Sequence, residues 1–139
     1  MNFHHHDSPL WATTNTWDTP DWTVEELIAA KRGRTVSVVL PALNEENTVA
    51  DVVASIRPLL GTLVDELIVL DSGSTDATAE RALAAGAEVI SREQAVPELD
   101  PLPGKGEVLW RSLAVTSGDV IAFVAVSYTH LTLPTKRIV

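Results

Sequence analysis

Short runs of apolar, mostly β-branched residues alternate along this chain with segments whose apolar residues recur every three to four positions. Strands are predicted at about 35–40, at Glu66–Leu70, at about 87–91 and at Val120–Val124, with helices at about 47–59, 75–85 and 104–117. An earlier helix begins at Thr23, where TVEE forms a capping box, and ends near Gly33. Repeated alternation of strand and helix predicts an α/β fold with a parallel sheet flanked by helices.

The two ends of the chain depart from this alternation. Residues 1–20 have no period and are interpreted as an irregular arm, so the α/β part is predicted at 21–125. The tail 126–139, VSYTHLTLPTKRIV, contains no helix, cap or turn that would continue the pattern. It is similar to the translation of a sequencing adapter. We therefore expect the tail to be non-native and the chain to be the N-terminal piece of a longer protein.

Composition narrows the class of protein. The length of 139 residues fits one domain, and the absence of cysteine favours a reducing cytoplasm and excludes thiolate metal sites. The net charge of −9 argues against nucleic acid as a partner. No apolar run approaches the roughly 20 residues that span a bilayer, so no membrane partner is expected. An acidic protein of this kind binds phosphates through a divalent cation or a few well-placed Lys or Arg residues.

Polar side chains follow two of the predicted strands. Pro41 lacks an N–H group and is expected to end the first strand, and Asn44 and Glu45 come directly after it. Asp71 and Ser72 end the second strand. The carboxyl ends of parallel strands are where open α/β sheets place ligands. The alternative is structural: Asn44 and Glu45 would cap the next helix, while Asp71 and Ser72 would form a turn with Ser74 or Thr75 as the N-cap.

Lys105 is the cation best placed for an anionic ligand. It lies at a predicted helix start, where the helix dipole disfavours a positive charge. Gly104 and Gly106 beside it allow the backbone to approach a ligand closely. An anion at this position would meet both backbone N–H groups and the ammonium group. The alternative is an ordinary exposed surface lysine.

Four segments carry a resemblance to a known family. They are PALNEE (41–46), LDSGSTD (70–76), VISREQAVPE (89–98) and PGKGEVLWRSLAVTSGDVIAFV (103–124). The first two resemble GT-A glycosyltransferases, whose α/β fold binds nucleotide sugars. The PGKGE–LWRSL segment together with SREQA resembles the glucosyl-3-phosphoglycerate synthase family in particular. The resemblance covers roughly residues 20–124.

The resemblance implies an activity and a donor site. It implies a retaining transfer of glucose from UDP-glucose to 3-phosphoglycerate, with no catalytic residue assigned within this chain. Carried over by position, the UDP-glucose contacts are Pro41, Ala42, Leu43, Asn44, Glu45, Ser72 and Lys105, with Asp71 and Gly104 as secondary candidates. The alternatives are an inverting GT-A transferase with another acceptor and a UDP-sugar-binding module without transfer activity.

The same resemblance implies a divalent cation, Mg²⁺ or a similar ion, held by an Asp-x-Asp motif directly after the fourth strand. Positions 125 and 127 should carry those aspartates, but Ala125 and Ser127 stand there. Neither side chain is a hard anionic ligand. We therefore expect no metal site in this chain and no transfer activity from it alone. The resemblance leaves a homodimer open for the complete protein.

Overall fold

The computed structural model describes residues 19–126, in which strands alternate with helices as predicted. In chain order the elements are α1 (Val24–Lys31), β1 (Val36–Ala42), α2 (Val49–Ile56), β2 (Glu66–Asp71), α3 (Thr78–Ala85), β3 (Glu88–Ser91), α4 (Arg92–Ala95), α5 (Lys105–Ser112) and β4 (Val120–Phe123). A short 3-10 turn, Arg57–Leu59, follows α2. The strands form one parallel sheet in the order β3-β2-β1-β4, so the predicted α/β fold is confirmed. Most of the predicted arm and tail lie outside the described residues.

The two central strands are buried on both faces, as their unbroken apolar runs predict. One face of the sheet packs Val38, Leu40 and Val69 against α2 and α3, with Val49 and Val53 fully buried there. The opposite face packs Val39 and Leu70 against Val108 of α5 and neighbouring side chains. The core therefore holds β1 and β2 rigidly, and the loops that leave their carboxyl ends start from fixed points.

Pro41 does not end β1, so that prediction is wrong. The strand continues to Ala42, and Pro41 pairs in register with Leu70 of β2. Along β1, the backbone groups of successive residues point in turn toward β4 and toward β2. The Val39 carbonyl accepts from the Val124 N–H, on the β4 side. The Ala42 carbonyl accepts from the Ser72 N–H, on the β2 side. The nitrogen of Pro41 therefore faces the β4 side, beyond the last paired residue of β4. The missing N–H costs no bond between β1 and β2.

The helix α5 is shorter than predicted and buries two polar side chains. Val108 is buried, but Trp110 and Leu113 are 50% and 57% exposed. Instead, Arg111 and Ser112 lie in the interior, and neither has exposed surface. Between the predicted strand at about 87–91 and the predicted helix at about 104–117, the structure contains the short helix α4, which starts with a capping box formed by Ser91 and Gln94.

No helix among residues 19–126 is long and apolar enough to cross a bilayer. The helices described here have eight residues at most, far below the roughly 20 that a span requires.

Gly118 offers a test of the contact between β1 and the turn before β4. A Cβ atom on Gly118 would lie 2.5 Å from the Ser37 hydroxyl oxygen and 2.7 Å from the Ser37 backbone nitrogen. Because the backbone atom cannot move aside without shifting β1, Gly118→Ala is expected to lower the free energy of unfolding by about 1–3 kcal/mol. Urea unfolding followed by circular dichroism measures this change.

The matched control is Gly106→Ala in α5, where an added Cβ meets no atom within 4 Å. That substitution improves helix propensity and should leave stability unchanged or slightly raised. Equal unfolding midpoints for the two variants would show that the Gly118 contact is not as tight as described.

Carboxylates at the amino ends of the strands predict a loss of stability in acid. The Thr35 backbone N–H and hydroxyl donate to Asp119 at 2.9 and 3.2 Å and hold the pKa of Asp119 below its usual value. A carboxyl with a lowered folded pKa stabilises the fold above its unfolded pKa of about 3.9. That stabilisation is lost as the pH falls through the folded pKa.

We therefore expect the free energy of unfolding to fall as the pH is lowered below about 4, and to fall less steeply in Asp119→Asn. Urea unfolding at a series of pH values measures both slopes. Asp21→Asn, which also removes one exposed carboxylate, controls for the change in net charge. An Asp119→Asn protein with the same pH dependence as the wild type would contradict the assignment.

Candidate nucleotide-sugar site

A cavity of about 480 Å³ opens at the carboxyl ends of β1, β2 and β4. Of the residues predicted to bind a ligand, the structure brings seven to its wall: Pro41, Ala42, Leu43, Glu45, Ser72, Gly104 and Lys105. They come from three separate segments of the chain, and only the parallel sheet unites them. Asn44 and Asp71 are not part of the wall.

Asn44 fastens the loop after β1 to the loop after β2. Its backbone adopts a left-handed conformation, with φ of 53°, and its N–H donates to the Ser74 hydroxyl at 2.9 Å. Its side-chain oxygen accepts from the Thr75 N–H at 2.8 Å. The Glu45 N–H donates to the Thr78 hydroxyl at 2.8 Å in the same contact. A role for Asn44 in ligand binding stays a prediction, since its amide oxygen already serves this contact.

The two carboxylates at the end of β2 and in the loop after it accept hydrogen bonds from neighbouring protein groups. Asp71 accepts from the Ser74 backbone N–H at 3.2 Å and from its hydroxyl. Burial raises the pKa of Asp76. The hydrogen bonds that Asp76 accepts from the hydroxyl and backbone N–H of Thr78 and from the Glu46 N–H outweigh burial and hold that pKa below its usual value.

The predicted N-cap at Ser74 or Thr75 is wrong. The helix α3 begins at Thr78 with Ala77 as its N-cap, and no side chain caps it. Ser74 and Thr75 bind Asn44 instead. The structural alternative of a turn with an N-cap therefore holds for the turn but not for the cap, and Ser72 is left facing the cavity.

Lys105 is the first residue of α5, as predicted, and its side chain is exposed. Gly104 precedes it as the N-cap with φ of 114°, a conformation that favours glycine. Among the described residues, no carboxylate lies within 4 Å of the Lys105 ammonium group. A cation at this helix terminus has an unfavourable interaction with the dipole. An anion bound in the cavity would be attracted both by the ammonium group and by the helix N-terminus, and would offset that cost.

Several residues of the cavity wall were not predicted from the sequence. They are Arg92, Pro103, Val108, Leu109, Phe123, Val124 and Ala125. Arg92 stands in the SREQA segment that carries part of the resemblance, which was the available signal. The apolar members make the cavity mostly hydrophobic, with a few polar groups at defined positions, as is typical of small-molecule sites.

The described residues do not fit a divalent cation. Ala125 lies in the cavity wall at the position expected for an aspartate, and a methyl group has no ligand atom. No group of three or more His, Cys, Asp or Glu side chains suited to a metal occurs in the part of the chain that the structure describes. Asp119 lies at the opposite end of β4, bonded to Thr35. Ser127 lies outside the described residues.

A parallel sheet in this order, with loops after β1 and β2 facing a cavity at the strand ends, defines a nucleotide-sugar-binding fold of the GT-A type. The chain belongs to glycosyl transferase family 2, whose family model matches residues 37–124. That match covers the sheet apart from Val36 and the cavity wall apart from Ala125.

Comparison with known proteins identifies similar relatives. The chain is 72% identical over 114 residues to glucosyl-3-phosphoglycerate synthase of Mycolicibacterium smegmatis, covering 82% of this chain and 38% of that enzyme. It is 67% identical over 109 residues to the enzyme of the same name from Mycobacterium tuberculosis, covering 78% and 34%. The chain thus spans little more than a third of the length of these curated relatives.

Solved structures of the Mycobacterium tuberculosis enzyme share the fold. One, in complex with Mn²⁺, UDP and glucosyl-3-phosphoglycerate, matches with a TM-score of 0.77 and 66% identity over 80% of this chain and 40% of that one. Another, in complex with Mg²⁺ and UDP, matches with a TM-score of 0.77 and 65% identity over 79% and 39%. The resemblance inferred from the sequence is therefore confirmed, and relatives of this chain bind UDP together with a divalent cation.

Proposed function

We propose that residues 21–125 form the UDP-glucose-binding part of a retaining glucosyltransferase that acts on 3-phosphoglycerate. In the proposed reaction, the 2-hydroxyl oxygen of 3-phosphoglycerate bonds to the anomeric carbon of glucose as the bond to UDP breaks, and UDP and the hydroxyl proton are released. The product is glucosyl-3-phosphoglycerate. The observation that carries the proposal is the cavity itself, which gathers seven of the nine predicted donor-site residues from three segments.

The cavity suits the UDP part of the donor. Its apolar wall offers a surface for the uracil ring, and Glu45 and Ser72 supply groups that accept from, or donate to, ribose and base. Lys105 and the first N–H groups of α5 supply positive charge for the diphosphate. The chain contributes binding and orientation of the donor.

The chain on its own is proposed to bind the donor without transferring sugar. Ala125 lacks the carboxylate that would hold a divalent cation against the leaving diphosphate. No group of three or more side chains suited to a metal occurs in residues 19–126. This observation also favours the second candidate, a UDP-sugar-binding module without transfer activity. A cytoplasmic location, supported by the absence of cysteine, and a homodimer of the complete protein belong to the same proposal.

The experiment is a transfer assay on the complete protein that contains this sequence, supplied with UDP-glucose, 3-phosphoglycerate and Mg²⁺. Mass spectrometry should detect glucosyl-3-phosphoglycerate, and NMR of the product should show a retained anomeric configuration. Product on another acceptor with inverted configuration would favour the inverting alternative. Binding of UDP-glucose without any product would favour the non-catalytic module.

A further inference from the structure

Arg92 is a positively charged residue of the cavity wall for which the proposed donor site has no role. It is the first residue of α4, directly after β3, and lines the cavity. Its guanidinium group lies over Gly73, where an added Cβ would be 3.2 Å from the Arg92 terminal nitrogen. Because Gly73 has no side chain, the Arg92 guanidinium group can lie against it, next to Ser72 in the chain.

The backbone of Arg92 is held in place from two sides. The capping box of Ser91 and Gln94 fixes the start of α4, with bonds of 2.9 and 3.1 Å. From beneath, the buried Arg111 donates to the Arg92 carbonyl at 3.0 Å. The side chain is 28% exposed and extends from this fixed backbone to the cavity wall.

The two cations of the cavity differ in how their charge is balanced. The Arg92 Nε group is paired with the Glu93 carboxylate at 3.2 Å. A backbone hydrogen bond first, and this pair second, hold the pKa of Glu93 below its usual value. Lys105 has no carboxylate partner within 4 Å among the described residues. Lys105 therefore suits the anionic diphosphate, whereas the balanced charge of Arg92 suits a neutral oxygen acceptor.

We propose that Arg92 donates to a carbonyl oxygen of the uracil ring and so sets the base preference of the donor site. This inference rests on the proposed function, because it assumes that the cavity binds a UDP-sugar. A guanidinium carries donors only. Uracil presents a carbonyl oxygen where cytosine presents an amino group, so cytosine would place a donor against a donor.

The test is a comparison of UDP and CDP binding to the chain by isothermal titration calorimetry, with Arg92→Gln as the variant. A glutamine amide both donates and accepts, so it removes the discrimination while keeping a polar side chain. We expect the wild type to prefer UDP, and the preference to fall about tenfold in Arg92→Gln, the effect of roughly one unpaired polar group. Arg34→Gln, an exposed cation near the opposite ends of the strands, should keep the wild-type preference.

The binding results separate the inference about Arg92 from the proposed function. A selective loss of UDP over CDP preference supports the inference. An equal loss of affinity for both nucleotides would assign Arg92 to the diphosphate and overturn it, as would unchanged binding of both. A wild-type chain that binds UDP without preferring it to CDP overturns the inference alone. A wild-type chain that binds neither nucleotide overturns the proposed function as well.

Discussion

Replacing the buried Arg111 by methionine is expected to lower the free energy of unfolding by about 3–5 kcal/mol, which is a large part of the stability of an ordinary domain. The Arg111 side chain has no exposed surface, and its Nε group binds both oxygens of Glu107, at 2.6 and 2.8 Å. Its terminal nitrogens donate to four backbone carbonyls, those of Arg92, Val96, Leu99 and Asp100, at 2.8–3.0 Å. Methionine fills similar space but leaves these acceptors and the Glu107 carboxylate without a partner.

Urea unfolding measures this change, and Arg81→Met is the matched control. Arg81 also bonds a backbone carbonyl and a carboxylate, at 2.9 and 3.4 Å, but its side chain is 49% exposed. Because water replaces such bonds easily, the control should lose about 1 kcal/mol or less. If both variants lost equally little, Arg111 would not be the internal support of the cavity wall that the contacts indicate. Where Arg111→Met fails to fold, Arg111→Lys, which keeps the charge, should recover part of the stability.

Lys105→Ala is expected to weaken the binding of UDP-glucose by roughly 10- to 100-fold, the effect of one charge-assisted hydrogen bond. The same substitution should leave the stability of the chain unchanged or raise it slightly, because a cation at a helix N-terminus is disfavoured by the dipole. A loss of binding without a loss of stability separates a ligand contact from a structural one. Calorimetric titration gives the affinity, and urea unfolding gives the stability.

The control for Lys105→Ala is Arg34→Ala, which removes one exposed positive charge far from the cavity. General electrostatic attraction between the chain and the nucleotide would be reduced equally by both variants and would be screened by salt. Unchanged affinity in Lys105→Ala would return this residue to the alternative of an exposed surface lysine.

The sheet could be predicted because its signal is local. Runs such as Val36–Leu40 and Glu66–Leu70 are short and, apart from Ser37 and Glu66, apolar, as is typical of strands buried on both faces of a parallel sheet. The carboxyl ends of parallel strands lie at one edge of a sheet, and the family resemblance placed the donor-site residues at that edge. Lys105 could also be predicted from a local signal. A lysine between two glycines at a helix start is disfavoured by the helix dipole, which suggests a role other than stability.

The errors have a common physical cause, which is that contacts between distant segments override local preference. Ser74 and Thr75 are good N-caps by type, but Asn44 of another loop binds them first. Pro41 remains in its strand because β4 is already unpaired at that level. Arg111 is buried because its donors match a set of carbonyls in the turn after α4, which no property of α5 could reveal. The Arg92 side chain lies against Gly73, which is distant in sequence, so its position in the cavity wall could not be predicted locally.

The central claim is that UDP binds at the carboxyl ends of β1 and β2, and NMR titration of the labelled chain with UDP tests it most directly. Chemical-shift changes should be confined to the backbone amides of the cavity wall and their immediate neighbours, including those of Ala42, Ser72, Arg92 and Lys105. Amides at the opposite ends of the strands, such as those of Thr35 and Asp119, should not move. Shifts concentrated at those opposite ends, or none at saturating UDP, would contradict the account.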